Sequence, residues 1–119
     1  MADYKDLEVW KRAVLLAESV YDLTMDFPKE EVYGLTNQMR RAAVSVFSNI
    51  AEGHGRRSDQ EMIHFLRIAR GSASEVQTQL IFSRRRNFGD PVYSHTLVEQ
   101  YEELKRMLWG LILRLESRQ

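Results

Sequence analysis

Glu61-Met-Ile-His64 has the spacing that di-iron bundles use to bring a carboxylate and an imidazole to one metal. Such a site needs a second Glu-x-x-His pair and further glutamates facing it. His54 and His95 have Ala51 and Val92 three residues before them, so the pair stands alone. Glu61 also sits three residues after Ser58, where a glutamate serves a helix cap. His54, Ser58 and Asp59 are neighbours in sequence but form no recognisable nucleophile arrangement. A glycine-rich phosphate loop is also lacking. These residues imply a non-catalytic protein with no metal and no cofactor.

The arginines offer a different chemistry. Residues 35 to 88 hold nine arginines, no lysine and four acidic residues, a net of +5. They are Arg40, Arg41, Arg56, Arg57, Arg67, Arg70, Arg84, Arg85 and Arg86. A guanidinium forks onto phosphate or carboxylate and stacks on planar groups better than an ammonium does. Residues 1 to 34 carry four basic and eight acidic residues, and residues 89 to 119 carry four and five. The whole chain is neutral, with 17 of each sign, so global charge steers nothing. The basic block is the candidate phosphate-binding element. The competing use of these arginines is pairing with Glu52, Asp59, Glu61 and Glu75, or solvating helix ends.

Four helices must position these groups. The first is expected from Asp3 to Phe27, with Leu7, Trp10, Val14, Ala17, Tyr21 and Thr24 as its core stripe. Pro28 stops it. The second is expected from Leu35 to Glu52, with Leu35, Met39, Ala42, Ala43, Val46 and Ile50 inward, and Gly53 and Gly55 in a left-handed terminal turn. The third starts at Ser58, whose Ser-Asp-Gln-Glu run has capping-box form, and reaches about Arg86. Its stripe is Met62, Phe65, Leu66, Ala69, Ala73, Val76 and Leu80. The fourth runs from Val92 or Ser94 to Ser117, with Leu97, Tyr101, Leu104, Leu108, Leu111 and Leu115 at coiled-coil spacing. No segment alternates with period two. Short connections make an all-α, up-down-up-down antiparallel four-helix bundle the natural solution.

The 119 residues suit one domain spanning 1–119. There is no cysteine, so no disulfide or thiolate metal site forms, which suits a reducing compartment. The start is interrupted by Asp3, Lys5, Asp6 and Glu8, and the apolar stretch Met107 to Leu115 is broken by Arg114. Neither resembles a signal peptide or a membrane span. A cytoplasmic protein without membrane contact is expected.

Two surpluses remain. Helix 2 places Gln38, Arg41, Ser45, Ser48, Asn49 and Glu52 on one face, and helix 3 does the same with Ser72, Glu75 and Gln79. Ser45, Asn49, Glu52, Ser72 and Glu75 are the candidate interhelix polar network, with Gly71 expected to allow close approach. Apolar residues also exceed one stripe per helix. Val44, Phe47, Ile63, Trp109 and Leu113 are the candidate interface of a homo-oligomer.

YKDLEVW, FPKEEVYGLTNQMRRAAVSVFSNIAEGHGR and IARGSASEVQTQL carry a family resemblance. The chain is similar to the four-helix-bundle family of proteins encoded in 23S ribosomal RNA intervening sequences. The match covers about Tyr4 to Phe88, with the fourth helix fitting in pattern. Phe47 stands where a proline is usual before Ser-Asn, and Ala73 where a leucine is usual after Gly-Ser. The resemblance implies a ring-like homopentamer. It also implies kinship with diversity-generating retroelement accessory proteins, which are basic and bind nucleic acid and a reverse transcriptase. It does not imply catalysis. Two readings stand side by side: a homo-oligomeric scaffold that binds RNA through the arginines of helices 2 and 3, and a protein–protein adaptor, with a reverse transcriptase or another protein as partner, that makes no nucleic-acid contact.

Overall fold

The computed structural model describes residues 3–119; residues 1 and 2 of the expected domain lie outside it. Among the described residues there are four α-helices and no strand. They are α1 (Glu8–Thr24), α2 (Leu35–Gly55), α3 (Asp59–Arg85) and α4 (Pro91–Glu116). Among the described residues, α3 and α4 each start at a side-chain cap. A 3-10 turn at Tyr4–Asp6 precedes α1, and the Asp3 side chain accepts from the Lys5 amide to cap it. Ser58 Oγ accepts from the Glu61 amide at 3.1 Å, which satisfies one of the orphan donors of α3. The Glu61 carboxylate lies 3.7 Å from Arg56 Nη1. Asp90 accepts from the amides of Val92 and Tyr93, and Pro91 opens α4, where its missing N–H costs nothing.

Successive helices run antiparallel. The C-terminal end of α2 meets the start of α3 at Gly53, where an added Cβ would lie 2.8 Å from Phe65 Cβ. Ser45 of α2 reaches Ser72 of α3 at 2.9 Å. Arg67 near the start of α3 pairs with Glu116 at the end of α4, and Arg84 at the other end of α3 meets His95. Arg12 of α1 bonds Glu103 of α4 at 3.1 Å, which closes the ring of four. The molecule measures 47 × 22 × 19 Å.

The core stripes of α2 and α3 follow the expected residues closely. Met39, Ala42, Ala43, Val46 and Ile50 are buried, as are Met62, Leu66, Ala69, Ala73, Val76 and Leu80, with Leu35 and Phe65 half-buried at the edges. Two stripes differ. In α1 the inward residues are Val9, Ala13, Leu16, Ala17, Val20, Leu23 and Thr24. The expected Tyr21 is 42% exposed, and Leu7, Trp10 and Val14 sit at the margin. Two apolar stripes lie side by side on this helix, and Val20 and Leu23 bury fully aliphatic surface where Tyr21 would have to bury a hydroxyl. In α4, Ile112 is fully buried and Leu111 only half-buried.

The glycines also depart from expectation. Gly53 and Gly55 are helical, and the left-handed conformation falls on Arg57 (φ 62°) instead. Gly71 has open space where a side chain would go, so it allows no close approach; Gly53 does.

Candidate nucleic-acid interface

The nine arginines divide by what their neighbours do with them. Arg40 is held in the fold: its Nε donates to Thr24 Oγ1 at 2.9 Å, its Nη2 to the Tyr21 carbonyl at 3.3 Å, and its guanidinium lies 4.5 Å from the Tyr21 ring centre. Arg56 is paired with Glu52 at 2.9 Å and lies 5.2 Å over the Phe65 ring. Arg67 is paired with Glu116. Arg70 stacks over Trp109 at 5.2 Å. Arg84 bonds His95 Nδ1 at 3.1 Å, and Arg86 sits 5.9 Å from the Phe88 ring centre.

Arg41, Arg57 and Arg85 remain. All three are exposed, and among the described residues none makes a side-chain hydrogen bond or ion pair. They occupy three separate places along the rod. Arg41 lies on the α2 face toward α3, Arg57 in the α2–α3 turn, and Arg85 at the opposite end of α3. Of the acids named as competing partners, Glu52 and Glu61 both face Arg56. Asp59 takes a cation outside the basic block: Arg118 bonds it bidentately, at 2.7 and 3.0 Å.

Arg57 borders a cleft of about 810 Å³ at that end of the bundle. Its rim includes Tyr4, His54, Asp59 and Arg118, and its floor includes Leu7, Met62, Leu111 and Leu115. Among the described residues His54 Nε2 is buried without a hydrogen-bond partner, and the Tyr4 ring lies edge-on to the imidazole at 6.5 Å.

The polar network is smaller than expected. Asn49 Nδ2 donates to the Ser45 carbonyl at 2.8 Å and to Ser45 Oγ at 3.0 Å, and Ser45 Oγ meets Ser72 Oγ. Glu52 turns away to Arg56. Glu75 lines a neighbouring groove with Tyr33, Asn37, Gln38 and Arg41. A second polar network joins α3 to α4. Gln77 Nε2 donates to the Val98 carbonyl and to Glu102, both at 3.0 Å, and Lys105 donates to Gln77 Oε1 at 2.9 Å. The Gln77 hydrogen bond, with Lys105 beside it, holds the Glu102 carboxyl below the usual carboxylate range. Nothing in the sequence spacing pointed to this network, because Gln77 lies 21 to 28 residues from the groups it bonds.

Among the candidate interface residues, Ile63 is only 8% exposed and belongs to the core. It is therefore unavailable to a second chain. Phe47 and Val44 are half-buried. Trp109 and Leu113 are exposed, together with Ile81 and Phe82. Glu61 and His64 are both exposed, and among the described residues no group of three or more His, Cys, Asp or Glu side chains is placed to hold a metal.

The family described as "23S rRNA-intervening sequence protein" matches residues 5–110. The chain belongs to that family. The intervening-sequence match reaches from the 3-10 turn well into α4, so all four helices are included. A crystal structure from Bacteroides thetaiotaomicron, a protein of unknown function from the S23 ribosomal protein family, shares the fold with a TM-score of 0.77. It is 20% identical, and the alignment covers 87% of this chain and 97% of that one. No curated protein matches. No helix among the described residues of this intervening-sequence family member is long and apolar enough to cross a membrane.

Proposed function

We propose that this chain is a non-catalytic, self-associating scaffold, assembling as a ring of five, that contacts RNA phosphates through arginines of α2 and α3. The observation that carries the reading is the partnerless state of Arg41, Arg57 and Arg85 among the described residues. Structural arginines gain from carboxylates, carbonyls or rings within their own fold. These three have none, and a phosphate supplies what is missing. Arg40, Arg56, Arg67, Arg70, Arg84 and Arg86 have partners within the fold, which narrows the phosphate contacts from nine residues to a core of three. Self-association is supported by Ile81, Phe82, Trp109 and Leu113, each between 41% and 52% exposed. A closed ring repeats every cation, so a few arginines per chain become a continuous basic surface.

The test joins two measurements. Light scattering reports the subunit number; a stable monomer contradicts the scaffold. Titration with structured RNA at 50 and 200 mM salt reports the phosphate contacts. Binding should weaken steeply with salt, and replacing Arg41, Arg57 and Arg85 by alanine should remove most of it. Absence of binding at low salt, with one protein partner recovered in a nuclease-insensitive pull-down, would favour an adaptor instead.

A further inference from the structure

Tyr33 is 96% exposed, the most open of the large apolar or aromatic side chains among the described residues. It stands two residues before α2 and borders a groove of about 460 Å³ between α2 and α3. The other walls are Asn37, Gln38, Arg41, Ala42, Ser45 and Glu75. The side chains of Asn37, Gln38, Arg41 and Glu75 make no hydrogen bond or ion pair among the described residues. The groove thus presents a free aromatic face, two free amides, a free guanidinium and a free carboxylate. The volume falls within the range of about 300–1,000 Å³ common for small-ligand sites.

We infer that this groove takes one unpaired nucleotide of an RNA strand, and that it favours a base with an exocyclic amino group. The inference rests on the phosphate-binding reading and adds a substrate class to it. Unpaired bases are read by stacking on aromatic rings and by hydrogen bonds to their edges. Tyr33 supplies the ring. Arg41 supplies a donor for the flanking phosphate. Glu75 accepts only, so it bonds the exocyclic amino group of adenine or cytosine and repels the O4 carbonyl that uracil presents at the same place, leaving it only the uracil N3–H. Asn37 and Gln38 both donate and accept, so they complete the edge without choosing among bases. A carboxylate beside an arginine would weaken a site built for phosphate alone; for a nucleotide it has a partner.

The test measures anisotropy of labelled octamers of riboadenylate, ribocytidylate and ribouridylate, and of a blunt RNA duplex, against the full chain. Adenylate and cytidylate should bind more tightly than uridylate. Tyr33→Ala should weaken the first two about tenfold, as loss of one stacked base does, and leave the duplex unchanged. Because Tyr33 is almost wholly in solvent, its removal leaves the core intact, which circular dichroism verifies. Glu75→Gln should abolish the preference over uridylate. Equal affinity for the three octamers, or indifference of the single strands to Tyr33→Ala, overturns the groove while the phosphate contacts stand. No binding by any octamer or the duplex overturns both.

Discussion

Alanine at Gly53 and at Gly71 should have opposite effects on stability. Both glycines are inside helices, and both replacements gain about 1 kcal/mol of helix propensity. At Gly71 nothing lies within 4 Å of the new methyl group, so the gain stands and Gly71→Ala should stabilise by about 1 kcal/mol. At Gly53 the methyl would lie 2.8 Å from Phe65 Cβ and 3.0 Å from Met62 Sδ. The thioether can swing aside. Phe65 Cβ is fixed to the α3 backbone, so α2 and α3 must part. Overpacking of this kind costs about 1–3 kcal/mol. The net change at Gly53 is therefore between about 0 and 2 kcal/mol of destabilisation, and the two variants should differ by about 1–3 kcal/mol. Urea unfolding at one fixed protein concentration measures this, because the proposed assembly would make stability depend on concentration. A Gly53→Ala protein as stable as Gly71→Ala would refute the close α2–α3 approach. A destabilised Gly71→Ala would refute the open surroundings of residue 71.

Other outcomes follow from named contacts. Arg40→Ala removes two hydrogen bonds and the Tyr21 stack, so it should cost about 1–2 kcal/mol in thermal or urea unfolding while leaving RNA affinity within twofold. Ile112→Ala should cost about 2–5 kcal/mol, clearly more than Leu111→Ala, and the reverse order would restore the simpler leucine stripe. The Glu102 carboxyl has a lowered folded-state value. Its stabilising contribution is thus complete above its ordinary value of 4.5 and disappears as pH falls through the folded value. Glu102→Gln should therefore be less stable than the parent at pH 7, and the gap should close toward pH 3 in a urea-midpoint series.

Helices and their order were legible because prolines, capping residues and apolar spacing are local signals; the ends were less so, since α1 is Glu8–Thr24 rather than Asp3 to Phe27 and α2 runs on past Glu52 to Gly55. Ser58 and Asp90 cap the helices that they precede. The stripes of α1 and α4 were harder for one reason. When two apolar stripes are adjacent, a period of 3.6 fits both, and only the packing of the other helices selects one. Tyr21 therefore faces solvent while Val20 is buried. Gly71 looked like a contact point because small residues flank it, yet the helices touch at Gly53. Arg56 and Glu52 are four residues apart on one helix, a local pairing, whereas the long-range pairings were out of reach of local patterns: Arg67 finds its acid 49 residues away, and Asp59 finds its base 59 residues away. Tyr33 was missed because a lone tyrosine after Pro28 carries no periodic signal, and its exposure depends on where the loop is anchored.

The central claim is that Arg41, Arg57 and Arg85 serve phosphate rather than the fold. The slope of the logarithm of the RNA association constant against the logarithm of salt concentration tests it most directly. Each phosphate contact adds about 0.7–0.9 to that slope. The triple alanine variant should retain the parent's stability and lose about 2–3 from the slope for every chain engaged. An unchanged slope, with the variant folded, would contradict the account.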